Sequence, residues 1–260
     1  MSELVKFELE SDVAYLTLND PESYNALSLE MASQLSECFK KAEKFARAIV
    51  LTGEGDGFCS GAKLGGDMDP SRLQKTDLGQ PLRDTYNPLM LQIRELTIPL
   101  VIAVNGAAAG IGFALATTGD IIVANEDAQF LPAFSRIGLS LDGGLTSHLV
   151  NSIGKARAME LALLDEKRSA SLLREWGLIN FVEPQDNLQN KASSIAKKLA
   201  NGPTLAYANI RGLIWDATES SYQQQLVNEA NSQTPLGMTH DHKRGVLAFL
   251  SKGEAKYTGN

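Results

Sequence analysis

Two stretches decide the fold: Phe58-Cys59-Ser60-Gly61-Ala62-Lys63-Leu64, and Ile102-Ala103-Val104-Asn105-Gly106-Ala107-Ala108-Ala109-Gly110-Ile111-Gly112. Each follows a run that reads as a buried strand, and each opens onto a helix-like stretch. A chain that leaves a strand and starts a helix exposes unpaired backbone N–H groups at the helix N-terminus. Two such donors converging on one carbonyl oxygen make an oxyanion hole. The sequence supplies two places where they could converge and does not show that they do.

Outward from these stretches, strand and helix alternate. Residues 5–10 and 13–18 alternate apolar and polar side chains about Ser11-Asp12, the pattern of a hairpin. Ser28 can cap a helix whose apolar stripe is Leu27, Met31, Leu35, Cys38/Phe39, Ala42 and Phe45. Residues 48–51, 100–104 and 121–124 read as buried strands, and 82–96 and 110–118 as helices, with a kink or restart at Pro88. Continuous apolar strands between helices indicate an α/β fold with parallel pairing. Residues 67–80 are polar and loop-like, the kind of segment that closes over ligands. Beyond Gly143 the pattern turns helical over 156–164, 169–176 and 188–200, with one strand at 178–182. A break at Asn201-Gly202-Pro203 precedes helices at 203–215, 221–231 and 239–251.

Composition narrows the function. The chain has 260 residues, 43% hydrophobic and 21% charged, enough for one large domain or a domain with an appendage. A net charge of -7 and the lack of a basic tract argue against nucleic acid as a partner. No apolar run reaches bilayer-spanning length, and the N-terminal residues lack a signal-peptide pattern, so a cytoplasmic protein without a membrane partner is expected. Two cysteines, Cys38 and Cys59, make no disulfide framework. His240 and His242 sit two apart, off a common helix face, and His148 is alone, so no metal site is expected. Ser60 stands one place off the nucleophile position of G-x-S-x-G and has no triad partner in sequence.

At its motifs the chain resembles the crotonase superfamily, also called the enoyl-CoA hydratase/isomerase family. The resemblance runs nearly end to end: Asn25-Ala26-Leu27, Ile49-Val50-Leu51-Thr52-Gly53, Phe58-Cys59-Ser60-Gly61-Ala62, Ala103-Val104-Asn105-Gly106, Gly119-Asp120-Ile121-Ile122-Val123-Ala124, Ala128-Gln129-Phe130, Ala248-Phe249-Leu250-Ser251-Lys252 and Thr258-Gly259. Met159-Glu160-Leu161-Ala162-Leu163-Leu164, Glu175-Trp176-Gly177-Leu178-Ile179 and Phe134-Ser135-Arg136-Ile137-Gly138-Leu139 look most like the branch containing ring-1,2-epoxyphenylacetyl-CoA isomerase.

The resemblance implies a spiral of ββα turns over residues 1–202, binding an acyl-CoA, and a helical tail over 203–260 that serves trimerisation and the CoA pocket. It implies a homotrimer or dimer of trimers, coenzyme A only as part of the substrate, and a place in fatty acid metabolism. It assigns the oxyanion-hole amides to Ala62 and Ile111. Ile111 replaces a usual glycine, which restricts that position to negative φ. The two glutamates of the family's hydratases fall at Ala114 and Phe134, neither of which transfers a proton. Asp142 falls where isomerase branches carry one acidic residue, but it also precedes a helix and could be an N-cap. Tyr24, Asn25, Ala26, Ser60, Ala62, Lys63 and Leu64 match the CoA-lining region, and Phe249 and Lys252 match a tail segment that reaches CoA across a subunit interface. Arg83, Tyr86, Leu89 and Met90 would lie over the acyl pocket. The expected activity is an acyl-CoA isomerase; the alternatives are a hydratase with displaced acid/base groups and a non-catalytic acyl-CoA-binding member.

Overall fold

A computed structural model describes residues 2–63 and 77–260. Leu64 and residues 67–76 of the loop-like stretch lie outside the described residues.

The Ser11-Asp12 turn joins strands β1 (Val5–Glu10) and β2 (Val13–Leu18) as the expected antiparallel hairpin. Both turn residues take positive φ, as a two-residue hairpin loop demands. Strands β3 (Ala48–Gly53), β5 (Leu100–Val104), β7 (Ile121–Asn125) and β10 (Phe181–Glu183) then add in parallel, giving a six-stranded sheet ordered β1-β2-β3-β5-β7-β10. A second sheet, β4-β6-β8-β9, is made of Gly57–Cys59, Ala107–Ala109, Gln129–Leu131 and Arg168–Ser169. Successive strand pairs β3/β4, β5/β6 and β7/β8 each place their first member in the large sheet and their second in the small one. The chain therefore winds as a spiral of ββα turns, the α/β architecture the resemblance implies.

The alternation within each strand sorts two cores. Ile49, Leu51, Ile102 and Val104 face inward with Phe58, Phe113 and Phe130. They also meet helix α1 (Leu29–Phe45), which buries Met31, Ala32, Leu35, Phe39 and Ala42 and is capped by the Ser28 hydroxyl accepting from the Met31 N–H at 3.0 Å. The opposite faces, Ala48, Val50, Val101, Ala103 and Val123, pack on Leu188, Ala192, Ala196 and Ala200 of a helix at Gln185–Ala200. Strands covered on both faces read as unbroken apolar runs for this reason.

Some boundaries differ from expectation. The helix expected at 156–164 begins at Leu145 and runs to Leu164, with Gly154 at φ 76, ψ 162 interrupting it. The strand expected at 178–182 is Phe181–Glu183. The segment around Pro88 is a π-helical turn, Leu82–Tyr86, continued without a break by helix α2 (Asn87–Arg94), whose second residue is Pro88. The tail consists of α7 (Thr204–Ala217), α8 (Tyr222–Leu236) and α9 (His240–Ser251); α3 to α6 are Ile111–Ala116, Leu145–Leu164, Ala170–Glu175 and Gln185–Ala200.

Candidate active site

The two glycine-marked stretches leave neighbouring strands of the small sheet, β4 and β6, and the fold brings their turns into contact. A Cβ placed on Gly61 would lie 3.2 Å from the Ala109 carbonyl oxygen, and one on Gly110 would lie 3.7 Å from the Gly61 Cα. Both glycines hold positive φ, 113° at Gly61 and 53° at Gly110, so the turns depend on residues without a Cβ. Ile111 follows as the first residue of α3 and is not among the positive-φ residues, in keeping with its branched side chain.

The pairing around Ala62 fixes where its amide points. The Leu27 N–H donates to the Gly61 carbonyl at 2.7 Å, and the Leu27 carbonyl accepts from the Lys63 N–H at 3.2 Å. This parallel bridge uses the groups on either side of Ala62 and leaves its own N–H directed away from Leu27. Among the described residues neither the Ala62 nor the Ile111 N–H finds a backbone acceptor. The Leu27 carbonyl also accepts from the Tyr86 hydroxyl at 2.7 Å, which ties the π-helical turn to this strand end.

Asp142 stands beside the same turn. A Cβ on its neighbour Gly143 would lie 2.8 Å from Ala114 Cβ, 3.0 Å from Ile111 Cγ1 and 3.5 Å from Met90 Cε. Asp142 Oδ1 is buried and has no hydrogen-bond partner among the described residues. Burial without a partner pushes its carboxyl up to about 6. The helix it precedes has Gly144 at its N-cap and no side-chain cap hydrogen bond, so the cap reading that the sequence left open does not hold. Burial likewise raises the Tyr86 phenol, with the Cys59 and Asp142 charges adding to the effect.

The positions that the resemblance matches to the hydratase glutamates are apolar and shielded. Ala114 is fully buried in α3, and Phe134 comes within 4.0 Å of where a Gly110 Cβ would be. The turn that carries Phe134 is gripped by the buried Asp165 carboxylate, which accepts from the Ala133 N–H at 2.6 Å and the Ser135 hydroxyl at 3.0 Å. Sequence reasoning did not find Asp165; its partners lie some thirty residues away and no local pattern marks it.

Of the expected CoA-lining residues, the structure gathers Tyr24, Asn25, Ala26, Ser60, Ala62 and Lys63. The Ser60 N–H donates to the Tyr24 carbonyl at 3.0 Å, and the Ser60 hydroxyl to the Ser23 carbonyl at 2.8 Å. Lys63 pairs with Asp20 at 2.6 Å on the surface, which lowers the Asp20 pKa. Asn25 is fully buried and its amide is spent internally, donating to the Glu54 and Gly57 carbonyls at 2.9 and 2.7 Å. Its side chain is a strut for the glycine turns and offers a ligand only its backbone. Leu64 lies outside the described residues. Phe249 and Lys252 are exposed at the end of α9, with no hydrogen bond to this cluster among the described residues.

Cys59 is buried and its thiol is pushed up to about 11 by desolvation, the state of an inert core thiol. Among the described residues no cluster of His, Cys, Asp or Glu could hold a metal, and no helix is long and apolar enough to cross a membrane.

Comparisons with known proteins show the family. The family model described as enoyl-CoA hydratase/isomerase matches residues 8–260. The chain is 40% identical, over the whole of both proteins, to the 1,2-epoxyphenylacetyl-CoA isomerase of Escherichia coli K12. It is 32% identical, again over both whole lengths, to the 2,3-dehydroadipyl-CoA hydratase of the same organism. A crystal structure of an enoyl-CoA hydratase from Polaromonas sp. JS666 superposes with a TM-score of 0.88 at 32% identity, covering 98% of this chain and 99% of that one. The chain belongs to the enoyl-CoA hydratase/isomerase family and is an enzyme of that family. The relatives include both isomerases and hydratases.

Proposed function

We propose that the protein is an acyl-CoA isomerase that moves a double bond, or a ring-derived unsaturation, by proton transfer through an enolate. A thioester carbonyl has weak resonance, so a proton on C2 is removable when the resulting enolate oxygen is stabilised. The Ala62 and Ile111 amides, donors on abutting turns with one at a helix N-terminus, are suited to receive that oxygen. Each such donor contributes about 3 kcal/mol where charge develops.

Asp142 is the proposed proton carrier. Its carboxylate takes the proton from C2, leaving a dienolate on the thioester oxygen, and returns it to C4 as the C3–C4 double bond becomes C2–C3. No atom is gained or lost. The observation that carries this reading is the half-buried Asp142 carboxylate, whose Oδ1 has no partner among the described residues, on the residue before the Gly143 that packs on Ile111, with Ala114 and Phe134 where the resemblance expects acids for water activation. A carboxyl near pH 6 can both accept and return a proton at neutral pH.

The CoA moiety is proposed to lie along Tyr24, Ala26, Ser60 and Lys63. Phe249 and Lys252 would reach it only from another copy of the chain, in a trimer or a dimer of trimers. The test is a paired assay with a 3-enoyl-CoA and a 2-enoyl-CoA, following conjugation and water addition separately. Conversion of the first only, lost in Asp142→Asn with CoA binding retained, is the expected result. Water addition by wild type at a comparable rate would favour a hydratase, and binding without turnover of either would favour a non-catalytic member.

A further inference from the structure

Behind Gly143 and Gly144 lies a cavity of about 140 Å³ whose walls include Met90, Thr118, His148 and Trp215. Gly143, one residue from Asp142, forms part of this wall and also abuts Ile111 and Ala114, so the cavity adjoins the turn that carries Ile111. A closed cavity of about 150 Å³ accepts benzene; this one, partly open and with Thr118, Ser147 and His148 among its walls, has room for a single six-membered ring.

One wall is polar. The His148 ring stands edge-on to Trp215, with centroids 5.4 Å apart and planes at 80°. Its Nε2 edge faces Gly144, 3.8 Å from where a Cβ there would be. Among the described residues neither ring nitrogen has a hydrogen-bond partner. Burial drives the imidazole down to about 4, so it is neutral at physiological pH and presents one donor and one acceptor. The charged side chain at the cavity, Arg94, is occupied by Glu219 at 2.7 Å and sits over the Trp215 ring. An imidazole without a protein partner can exchange water for a ligand hydroxyl or carbonyl, whereas an acyl end with neither displaces the water and returns no hydrogen bond.

We propose that this cavity takes the far end of the acyl group and that His148 selects acyl groups carrying an oxygen there, a hydroxyl or carbonyl bonded by its imidazole. The inference rests on the acyl-CoA reading of the site and adds a substrate class to it. Trp215 comes from the tail, so the same contact makes the tail a wall of the specificity pocket.

Calorimetric binding of phenylacetyl-CoA and 4-hydroxyphenylacetyl-CoA, which differ by one oxygen at the far side of a ring, tests the assignment. Wild type should bind the hydroxylated thioester about three- to tenfold more tightly. His148→Leu should invert the order, because the hydroxyl is then buried without a partner. His148→Gln, which keeps a donor and an acceptor, should retain the wild-type order. Equal affinity within about twofold in wild type, or an unchanged preference in His148→Leu, overturns the proposal; should the leucine variant not fold, wild type and the glutamine variant decide. Binding is read without turnover, so the expected order in a protein that moves no double bond sinks only the isomerase reading. Isomerase turnover with no oxygen preference sinks only the His148 assignment, and binding of neither thioester removes both.

Discussion

Helix α1 buries Met31, Ala32, Leu35, Phe39 and Ala42, whereas helix α7 of the tail buries Arg211 and no apolar side chain. The contrast holds along both lengths of chain. Helix α8 buries nothing, α9 buries only Asp241, and Ile214, Met238, Phe249 and Leu250 are all more than half exposed. The spiral coheres by non-directional exclusion of water from both sheet faces. The tail is held by directed polar grips. Arg211 binds both Asp120 oxygens at 2.7 Å and donates to the carbonyls of Ile93, Arg94 and Leu96, at the end of the helix that lines the proposed acyl pocket. Arg47 reaches the Gly202 carbonyl at 2.5 Å and Thr204 Oγ1 at 2.9 Å. Such contacts fix a position more than they supply bulk stability. Chemistry is thus proposed for the rigid region, and pocket shape for the joint between the two.

The largest expected effect lies in the rigid region. Asp142→Asn should lower kcat by about 10²–10⁴-fold while leaving acyl-CoA affinity near wild type. For the wild type, kcat/KM should rise with pH through about 6, as the carboxyl loses its proton. Stability should move the other way. The folded-state pKa lies above its unfolded value, so the native state binds the proton more tightly, and stability is lost as pH rises from about 4 through about 6. Asp142→Asn should therefore melt higher than wild type at pH 8, by about 1 kcal/mol after solvent screening, and not at pH 3. A flat pH–rate profile between pH 5 and 7 would remove Asp142 from the proton path.

At the joint, Arg211→Met strips the cationic partner from Asp120, leaving it the Leu100 N–H, and removes a donor from three carbonyls. It should cost about 3 kcal/mol, and hydrogen exchange should quicken at residues 93–96 and throughout the tail before the β-strands respond. Uniform loss of protection across the molecule would mean that the two regions unfold as one.

A matched glycine pair sharpens the comparison at smaller scale. A Cβ at Gly112 in α3 would sit 2.8 Å from the Cys59 carbonyl carbon, so Gly112→Ala should destabilise by about 1–3 kcal/mol in a denaturant titration. Gly212, inside α7, has open space around it, and Gly212→Ala should stabilise by about 0.5–1 kcal/mol through helix propensity. Destabilisation at both would show that the tail is packed as tightly as the spiral.

The same division explains what was legible in the sequence. Strands β3, β5 and β7 were readable because both faces are covered, and the Ser28 cap because capping is local. Strands β4, β6 and β8 have three residues each, too few for any period to show, so the second sheet escaped notice. The start at Leu145 was hidden because its cap residues are glycines in the left-handed region, not Ser, Thr, Asp or Asn. Asp142 could be read as a cap or a base from its position in sequence, and the cap reading falls only in the structure, where Gly144 holds the N-cap with no side-chain cap hydrogen bond. His148 carried no signal at all, since a lone histidine on a helix has no spacing to interpret; its meaning depends on Trp215, 67 positions later.

The smallest expected effect is also the one that decides what the tail's apolar face is for. Phe249 is 83% exposed on α9, beside the exposed Leu250, and makes no contribution to the buried core of the chain. In a dilute sample Phe249→Ala should therefore change stability by no more than about 0.5 kcal/mol. If other copies of the chain cover this face, wild type gains stability by mass action as its concentration rises. The expected outcome is a melting temperature that climbs with wild-type concentration and climbs less in Phe249→Ala. Equal, concentration-independent melting of both proteins would leave Phe249 and Lys252 facing water and take them out of the proposed CoA site. A large loss in the dilute variant would instead show that α9 packs on its own chain, and the contrast between an apolar-held spiral and a polar-held tail would fail.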